Sequence, residues 1–390
     1  MTHVPHAADA DAGLRAGRPQ ARAATSNPLG EATARLHYAA RFEDAVDRRI
    51  AQALRRRGWT VRIEAYPGYG AAGWVRVMAR TVLAAPQVSD DELPGAGATQ
   101  AGGQWHGEAH AVRGWRSFLT ASVAGATVEV SHGDTVHRLV TDRGGFLDDV
   151  LAVDLPPGWH DLRLRTQDGF TTTAPIQVVD PAVRTGIVAD IDDTVMVTRL
   201  PRPLVAGWNA FVRHESAREA VPGMAALFGR LLADDHRLPV LYLSTGAWNA
   251  APAIGRFLRR HGFPAGTLLL TDWGPTNTGW FRSGTRHKVA QLHRLFTEFP
   301  GIQWVLVGDD GQRDPEIYAG AAHRYPDRVR AILLRQLTFA EHVLARGMPV
   351  PSPEAAPAGR AARAEHVLVL QGPDGHELVS QVDQADLHLR

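Results

Sequence analysis

Apolar and polar positions follow two different rhythms along the chain. Between Thr60 and Val179 apolar residues recur at every second position in short runs: Thr60–Ala65, Trp74–Val82, Phe118–Val123, Ala126–Val130, Val136–Thr141, His160–Arg165 and Pro175–Val179. A period of two is that of a strand with one buried face. Turn residues separate the runs, as in Pro67-Gly68-Tyr69-Gly70, Asp142-Arg143-Gly144-Gly145 and Pro156-Pro157-Gly158. Strands of this length and spacing predict a β-sandwich-like domain over residues 59–181, with the glycine-rich stretch Pro94–Gly107 as a loop inside it.

Beyond the linker Asp180–Thr185 the rhythm changes. Continuous apolar runs (Gly186–Ile191, Pro239–Leu243, Thr267–Thr271, Gln303–Val307, Val329–Leu334) alternate with stripes of helical period. One stripe is Met224, Leu227, Phe228 and Leu231; another is Val289, Leu292, Leu295, Phe296 and Phe299. Apolar runs without alternation are strands buried on both faces, and their alternation with helices predicts an α/β domain over residues 182–345 with a five-stranded parallel sheet.

The flanks are simpler. Residues 1–30, rich in Ala, Arg and Pro, read as disordered and carry no apolar core of a secretory signal. Residues 31–58 form an amphipathic helix, with Leu36, Ala39, Phe42, Val46, Ile50 and Leu54 on one face and Arg55-Arg56-Arg57 in the last turn. Acids on its polar face favour docking onto a domain over a membrane surface. Residues 346–390 read as a Pro- and Ala-rich linker and tail, in which His366–Leu370 offers at most one further strand.

Composition narrows the function only a little. With 42 basic and 41 acidic side chains there is no global field to attract nucleic acid, and zero cysteines exclude thiol catalysis and cysteine-zinc sites. No apolar run reaches the roughly 20 residues that span a bilayer. A cytoplasmic protein is the expectation.

The chemistry gathers at strand ends. The first run delivers three acids in Asp190-Ile191-Asp192-Asp193-Thr194. Two carboxylates two residues apart suit a hard divalent cation, and a carboxylate beside such an ion can also attack phosphorus while a second acid moves the proton. Alone, the pair fits equally a capped strand end or the metal pair of a nucleotide-sugar enzyme. The second run ends in Ser244-Thr245-Gly246, a hydroxyl and small residues that can meet a phosphate with side-chain and backbone donors. Lys288 opens a helix after Arg286 and His287, against the helix dipole, which a local anion would explain. The fourth run ends in Gly308-Asp309-Asp310, followed by Asp314-Pro315, where Asp314 also reads as an ordinary N-cap.

Taken in this order, the four stations resemble the haloacid-dehalogenase-type phosphohydrolase superfamily. The wording around them (Asp190-Ile191-Asp192-Asp193-Thr194, Tyr242-Leu243-Ser244, and Gly308 through Tyr318) is similar to the catalytic domain of the phosphatidate phosphatases of yeast actin patches and their bacterial branch. The resemblance covers about Gly186 to Gln336. It implies a Rossmann-like, haloacid-dehalogenase-type sheet with little or no cap, the intervals Val195–Pro222 and Asp272–Arg286 being too short for a folded one. It implies a magnesium-dependent phosphatase working through an aspartyl-phosphate: Asp190 as nucleophile, Asp192 as acid and base, and Ser244 and Lys288 on the phosphoryl oxygens. Thr245, Gly246 and Arg286 would bind substrate, and Asp190, Asp192, Asp309 and Asp314 would hold Mg2+. Where the branch commonly has serine, this chain has Asp310. An open site points to a phosphorylated substrate presented at a membrane surface, phosphatidate above all, met by a peripheral enzyme. The segment Leu200–Phe211 is a flap, with Trp208 and Phe211 as candidate lipid contacts and Arg199 and Arg202 beside it. The alternatives are a phosphatase for a non-lipid substrate, or a non-hydrolytic phospho-aspartate signalling or scaffold module, in which Asp272 at the end of the third strand would carry the phosphate.

Overall fold

The residues of strand period form seven strands: β1 (Thr60–Ala71), β2 (Trp74–Ala84), β3 (Thr127–His132), β4 (Thr135–Val140), β5 (Phe146–Leu151), β6 (Gly158–Thr166) and β7 (Thr171–Val178). The computed structural model describes residues 49, 51–84, 122–198, 218–271, 284–311, 313–339, 341 and 367–389. The expected disordered N-terminus, the Pro94–Gly107 loop, the flap with Trp208 and Phe211, Asp272 and the first part of the amphipathic helix lie outside these residues; 51–56 are helical.

All seven strands hydrogen-bond into one sheet in the order β4-β3-β6-β7-β1-β2-β5. Every pairing is antiparallel except that of β1 with β7. This corrects the expected sandwich. The period of two reports which face of a strand is buried and is silent on its neighbours; the parallel β1–β7 pairing joins the strands into a single sheet. The sheet curls until its edge strands β4 and β5 approach each other, enclosing Ile63, Val77, Val130, Leu147, Leu164 and Ile176.

A bulge in β1 gives this sheet a second apolar surface. Tyr66 pairs with Met78 and Tyr69 with Arg76, so β1 spends one residue more than β2. The extra residue turns Tyr66 and Tyr69, three apart, to the same side. There they join Met78 in the core of the second sheet.

That sheet is wholly parallel and contains β8 (Thr185–Asp190), β9 (Val240–Ala247), β10 (Thr267–Thr271), β11 (Gln303–Asp309), β12 (Val329–Arg335) and β13 (Leu368–Gly372). Their order is β10-β9-β8-β11-β12-β13. It thus has six strands, against the five expected of a Rossmann-like, haloacid-dehalogenase-type domain. The sixth comes from the C-terminal segment, whose five-residue run became a strand only by pairing with β12. Five helices accompany the strands: α1 (Met224–Leu231), α2 (Ala251–Arg260), α3 (Gly284–Glu298), α4 (Asp314–Arg324) and α5 (Gly375–Gln384). The pair α1 and α5 pack together, as do α3 and α4. Right-handed crossovers put the two pairs on opposite faces, because the strand order reverses at β8. The predicted stripe of α3 is buried at Leu292, Leu295 and Phe296, with Phe299 buried just beyond the helix, whereas Val289 is half exposed.

Every residue of β8 is buried. Gly186 faces Trp304 of β11, itself fully buried, and a Cβ there would lie 2.7 Å from the indole Cε3. Neither partner has room to yield. Gly186→Ala should therefore lower stability by about 1–3 kcal/mol through overpacking, read as a reduced midpoint in urea; an unchanged midpoint would show that the Trp304 ring can shift.

Candidate active site

The carboxyl ends of β8, β9 and β11 meet where the strand order reverses, the edge at which open α/β sheets bind ligands. Asp190 is the last residue of β8 and Asp309 the last of β11. With Asp314 they form a buried group whose carboxylate oxygens lie within 4.8 Å of one another. The Lys288 ammonium sits among them, 2.8 Å from Asp190 Oδ1 and 2.5 Å from Asp314 Oδ1. Asp314 does not cap α4, whose N-cap is Arg313; its side chain is turned inward onto Lys288.

Two glycines make room for this cluster. A Cβ on Gly308 would lie 2.7 Å from Asp314 Oδ2 and from the Tyr318 ring, and one on Gly311 would strike Leu337 and crowd Asp309 Oδ1. Gly311 also donates its backbone N–H to Asp309 Oδ1 at 2.8 Å.

Charge does not balance within the cluster. Were all three carboxylates ionised, they and the one ammonium would leave two negative charges in a buried volume, which burial resists. Burial pushes the Asp190 carboxyl up to about 7, Lys288 opposing and Asp314 and Asp192 adding to the rise. Burial likewise raises Asp309 well above the carboxylate range, with Asp314 and Asp190 adding to it. For Lys288 burial disfavours the charge, yet Asp190, Asp314 and Asp309 outweigh it and hold the ammonium above its ordinary value. Asp190 Oδ2 has no hydrogen-bond partner, nor has Asp314 Oδ2, since the Tyr318 hydroxyl donates to the Val307 carbonyl at 3.1 Å. Unsatisfied carboxylate oxygens among three buried acids that resist ionising without more positive charge are what a hard divalent cation fits.

Asp192 stands at the rim, the most exposed of these acids at 8%. Its Oδ2 accepts from Ser244 Oγ at 3.1 Å and its Oδ1 from Thr198 Oγ1 at 3.3 Å. Ser244 in turn accepts the Gly246 N–H at 2.9 Å, which fixes the end of β9. Asp193 adopts a left-handed conformation (φ 59°), stabilised by the Thr198 N–H on its Oδ1 at 2.8 Å and by Arg335 Nη1 on its carbonyl at 2.8 Å.

The structure thus brings together Asp190, Asp192, Ser244, Lys288, Asp309 and Asp314, with Thr245 and Gly246 continuing β9 beyond Ser244. Arg286 is exposed on the first turn of α3. Asp310 turns away from the cluster, its Oδ1 accepting the Leu337 N–H at 2.8 Å. Two further arginines stand by the site that the motif does not mark. Arg335, 5% exposed, closes β12 and grips the Asp193 turn. Arg218 is held below the ordinary guanidinium value by burial, with Asp192 and Asp193 opposing the shift. A charged residue ending the fifth apolar run was a usable signal for Arg335; nothing local marks Arg218.

This edge of the chain has known counterparts. Residues 185–336 match the family described as Phosphatidate phosphatase APP1, catalytic domain. Phosphatidate phosphatase APP1 of Saccharomyces cerevisiae is 25% identical over 234 residues, covering 56% of this chain and 39% of that protein. An uncharacterized protein of Schizosaccharomyces pombe is 24% identical over 155 residues, covering 39% of this chain and 25% of that protein. The chain thus spans well under half the length of the curated relatives it matches. Among solved structures, a carbohydrate acetylesterase from Xanthomonas citri aligns with 77% of this chain and 70% of its own at 9% identity and a TM-score of 0.25. All six clustered side chains fall inside the residues that match the APP1 catalytic family.

The shared ammonium makes a stability prediction. Lys288→Met leaves the carboxylates without their counter-charge and should cost about 3–5 kcal/mol in urea unfolding of the metal-free protein. The double variant with Asp314→Asn should recover part of that loss. A cost under about 1 kcal/mol would mean that the carboxylates are protonated and Lys288 is dispensable.

Proposed function

We propose that residues 185–336 form a magnesium-dependent phosphoric monoester hydrolase working through an aspartyl-phosphate, with phosphatidate as its candidate substrate. The observation that carries the reading is the buried Asp190–Asp309–Asp314 group around Lys288, inside the region that matches the APP1 catalytic family. Asp190, Asp309 and Asp314 would hold the ion; bound magnesium would offset the charge of the ionised carboxylates and polarise a phosphoryl oxygen.

The protein's own groups carry the rest. The Asp190 carboxylate attacks phosphorus, forming an acyl-phosphate as the ester bond breaks. Asp192, at the rim and hydrogen-bonded to Ser244 and Thr198, gives a proton to the departing alkoxide. Water then attacks the acyl-phosphate, leaving its proton on Asp192, and inorganic phosphate departs from a regenerated Asp190. Lys288, Ser244 and the Gly246 amide donate to the phosphoryl oxygens, where charge shifts during transfer. Arg286, exposed on the first turn of α3, meets the outer face of the substrate.

The candidate substrate class rests on the printed activity of the relative and on the short intervals Val195–Pro222 and Asp272–Arg286, which leave little chain for a cap. Among the described residues no helix is long and apolar enough to cross a membrane. In this reading a phosphatidate headgroup is met by a peripheral enzyme.

Asp190→Asn should abolish phosphate release from phosphatidate in mixed micelles while leaving the circular-dichroism spectrum unchanged. Asp192→Asn should slow turnover by about 100- to 10,000-fold. Full turnover by purified Asp190→Asn would remove it as nucleophile, and phosphatidate left intact while a small chromogenic phosphate is cleaved would remove the lipid.

Metal and pH should act together. Asp190 and Asp309 have raised values in the folded protein, so they bind more protons folded than unfolded. Their contribution favours folding below about pH 4 and is lost as pH rises towards 7. Magnesium should raise the melting temperature, and more at pH 7.5 than at pH 5, while chelation silences turnover. Equal melting shifts at both pH values, or turnover that survives exhaustive chelation, would contradict the metal assignment.

A further inference from the structure

Resting on that reading of the site, we infer that the seven-stranded sheet is a working part of the phosphatase: it positions the Ser244–Gly246 end of β9 through Trp248, and Lys288 through the far end of α3. These are the two elements that grip the phosphoryl group.

This end of β9 is tied down on one side by Thr271, whose hydroxyl donates to the carbonyls of Thr245 at 2.9 Å and Gly246 at 3.1 Å. It then runs without a break into Trp248, the start of a single 3-10 turn ending at Ala250. The Trp248 indole stacks on Tyr66 of β1, centroids 4.6 Å apart and planes at 29°, and leans on Phe146 of β5 at 6.4 Å. Both supporting rings are themselves held. Tyr66 is 3% exposed and donates to Glu64 at 3.3 Å, while Phe146 lies under the Arg80 guanidinium, 5.2 Å from the ring centre.

Lys288 stands near the start of α3, and the same sheet holds the helix by its other end. Asp148 of β5 accepts from Arg294 at 2.8 Å and from Arg76 of β2 at 2.7 Å. Glu298 accepts from Arg76 and from the Tyr69 hydroxyl, each at 2.6 Å. A stiff helix passes any displacement at Arg294 or Glu298 on to Lys288. Between the two anchors Thr267 of β10 donates to the Gly68 carbonyl in the β1 bulge at 3.1 Å. The strands that carry Asp190 and Asp309 are held instead by their parallel neighbours. The positive, phosphate-gripping half of the site is thus referenced to one sheet and the carboxylate half to the other.

The test uses the full chain with Trp248→Ala, Trp248→Phe and Asp148→Ala. For Trp248→Ala, amide exchange should quicken in a peptide spanning Ser244–Trp248 and stay unchanged in Gly186–Asp190. With a small chromogenic phosphate, kcat/KM should fall and inhibition by inorganic phosphate weaken, each by about ten- to a hundredfold. The magnesium concentration for half-activation should not move. Trp248→Phe, which keeps a stacking ring, should recover most of the loss. Asp148→Ala should quicken exchange around Lys288 and weaken phosphate inhibition in the same way. Exchange that rises uniformly, with phosphate inhibition intact and only the melting temperature lowered, would reduce these contacts to ordinary packing and overturn the inference. If the unaltered protein cleaves no phosphate ester, the phosphatase reading fails on its own, and confinement of the faster exchange to the two elements still decides whether the sheet positions them.

Discussion

One ammonium group, that of Lys288, is the constraint around which the site is built. Burying a charge costs several kcal/mol, and here it is offset only because Asp190 and Asp314 both reach the same nitrogen. The arrangement demands that β8, α3 and α4 be held in fixed relation, since the side chains come from residues 98 and 26 positions away from Lys288 along the chain. It also explains the local glycines: Gly308 leaves the space into which Asp314 turns, and no larger residue would. Three buried carboxyl groups around one ammonium do little for folding alone. The cluster's design suits a cation and a phosphoryl group that complete it.

The fold supplies that relation in layers. Reversal of strand order at β8 opens the crevice, and the two acid-bearing strands are buried throughout apart from Gln303 at the start of β11. The seven-stranded sheet then shares a core with the parallel one through Tyr66, Tyr69 and Met78, all on one side of a bulged strand. Polar contacts at the same surface, Tyr69 and Arg76 with Glu298 and Asp148 with Arg294, give the packing a defined register. Apolar burial brings the two sheets together, and charge-assisted hydrogen bonds select one orientation.

The C-terminal segment closes the other flank. Arg335 at the end of β12 donates to the Asp193 carbonyl, to Glu341 at 2.6 Å and to the Pro373 carbonyl at 3.3 Å. It thereby links the left-handed turn after Asp192 to the strand–helix unit β13–α5. That unit seats Gly375 directly against Gly223 at the start of α1, a contact with no room for a Cβ on either residue. A segment remote in sequence therefore braces the turn that presents Asp192.

Much of this was legible without the structure. The unalternated apolar runs marked β8 to β12, and acids, a hydroxyl and a lysine at their ends marked where chemistry would gather, because a buried strand that ends in carboxylates has to place them at a sheet edge. The buried positions of α1 followed from its period. Periodicity, however, records how each residue divides between core and solvent and says nothing of which strand lies beside which. The single mixed sheet in place of a sandwich, the sixth strand β13 and the exposed Val289 were for that reason decided only by tertiary pairing. The same holds for side chains whose partners are distant. Asp314 before proline carries the local signature of a helix cap, and packing turned it onto Lys288 instead. Arg218 and the Tyr66–Trp248 stack have no local signature, because what they do is set by residues more than 20 positions away; Arg335 was marked only as a charge ending an apolar run, and its hold on the Asp193 carbonyl was not. The sequence by itself determined the kinds of element and the chemical groups at their ends; the tertiary structure decided which groups meet, since hydrogen bonds and charge pairs between elements depend on distances that exist only after the sheets have packed.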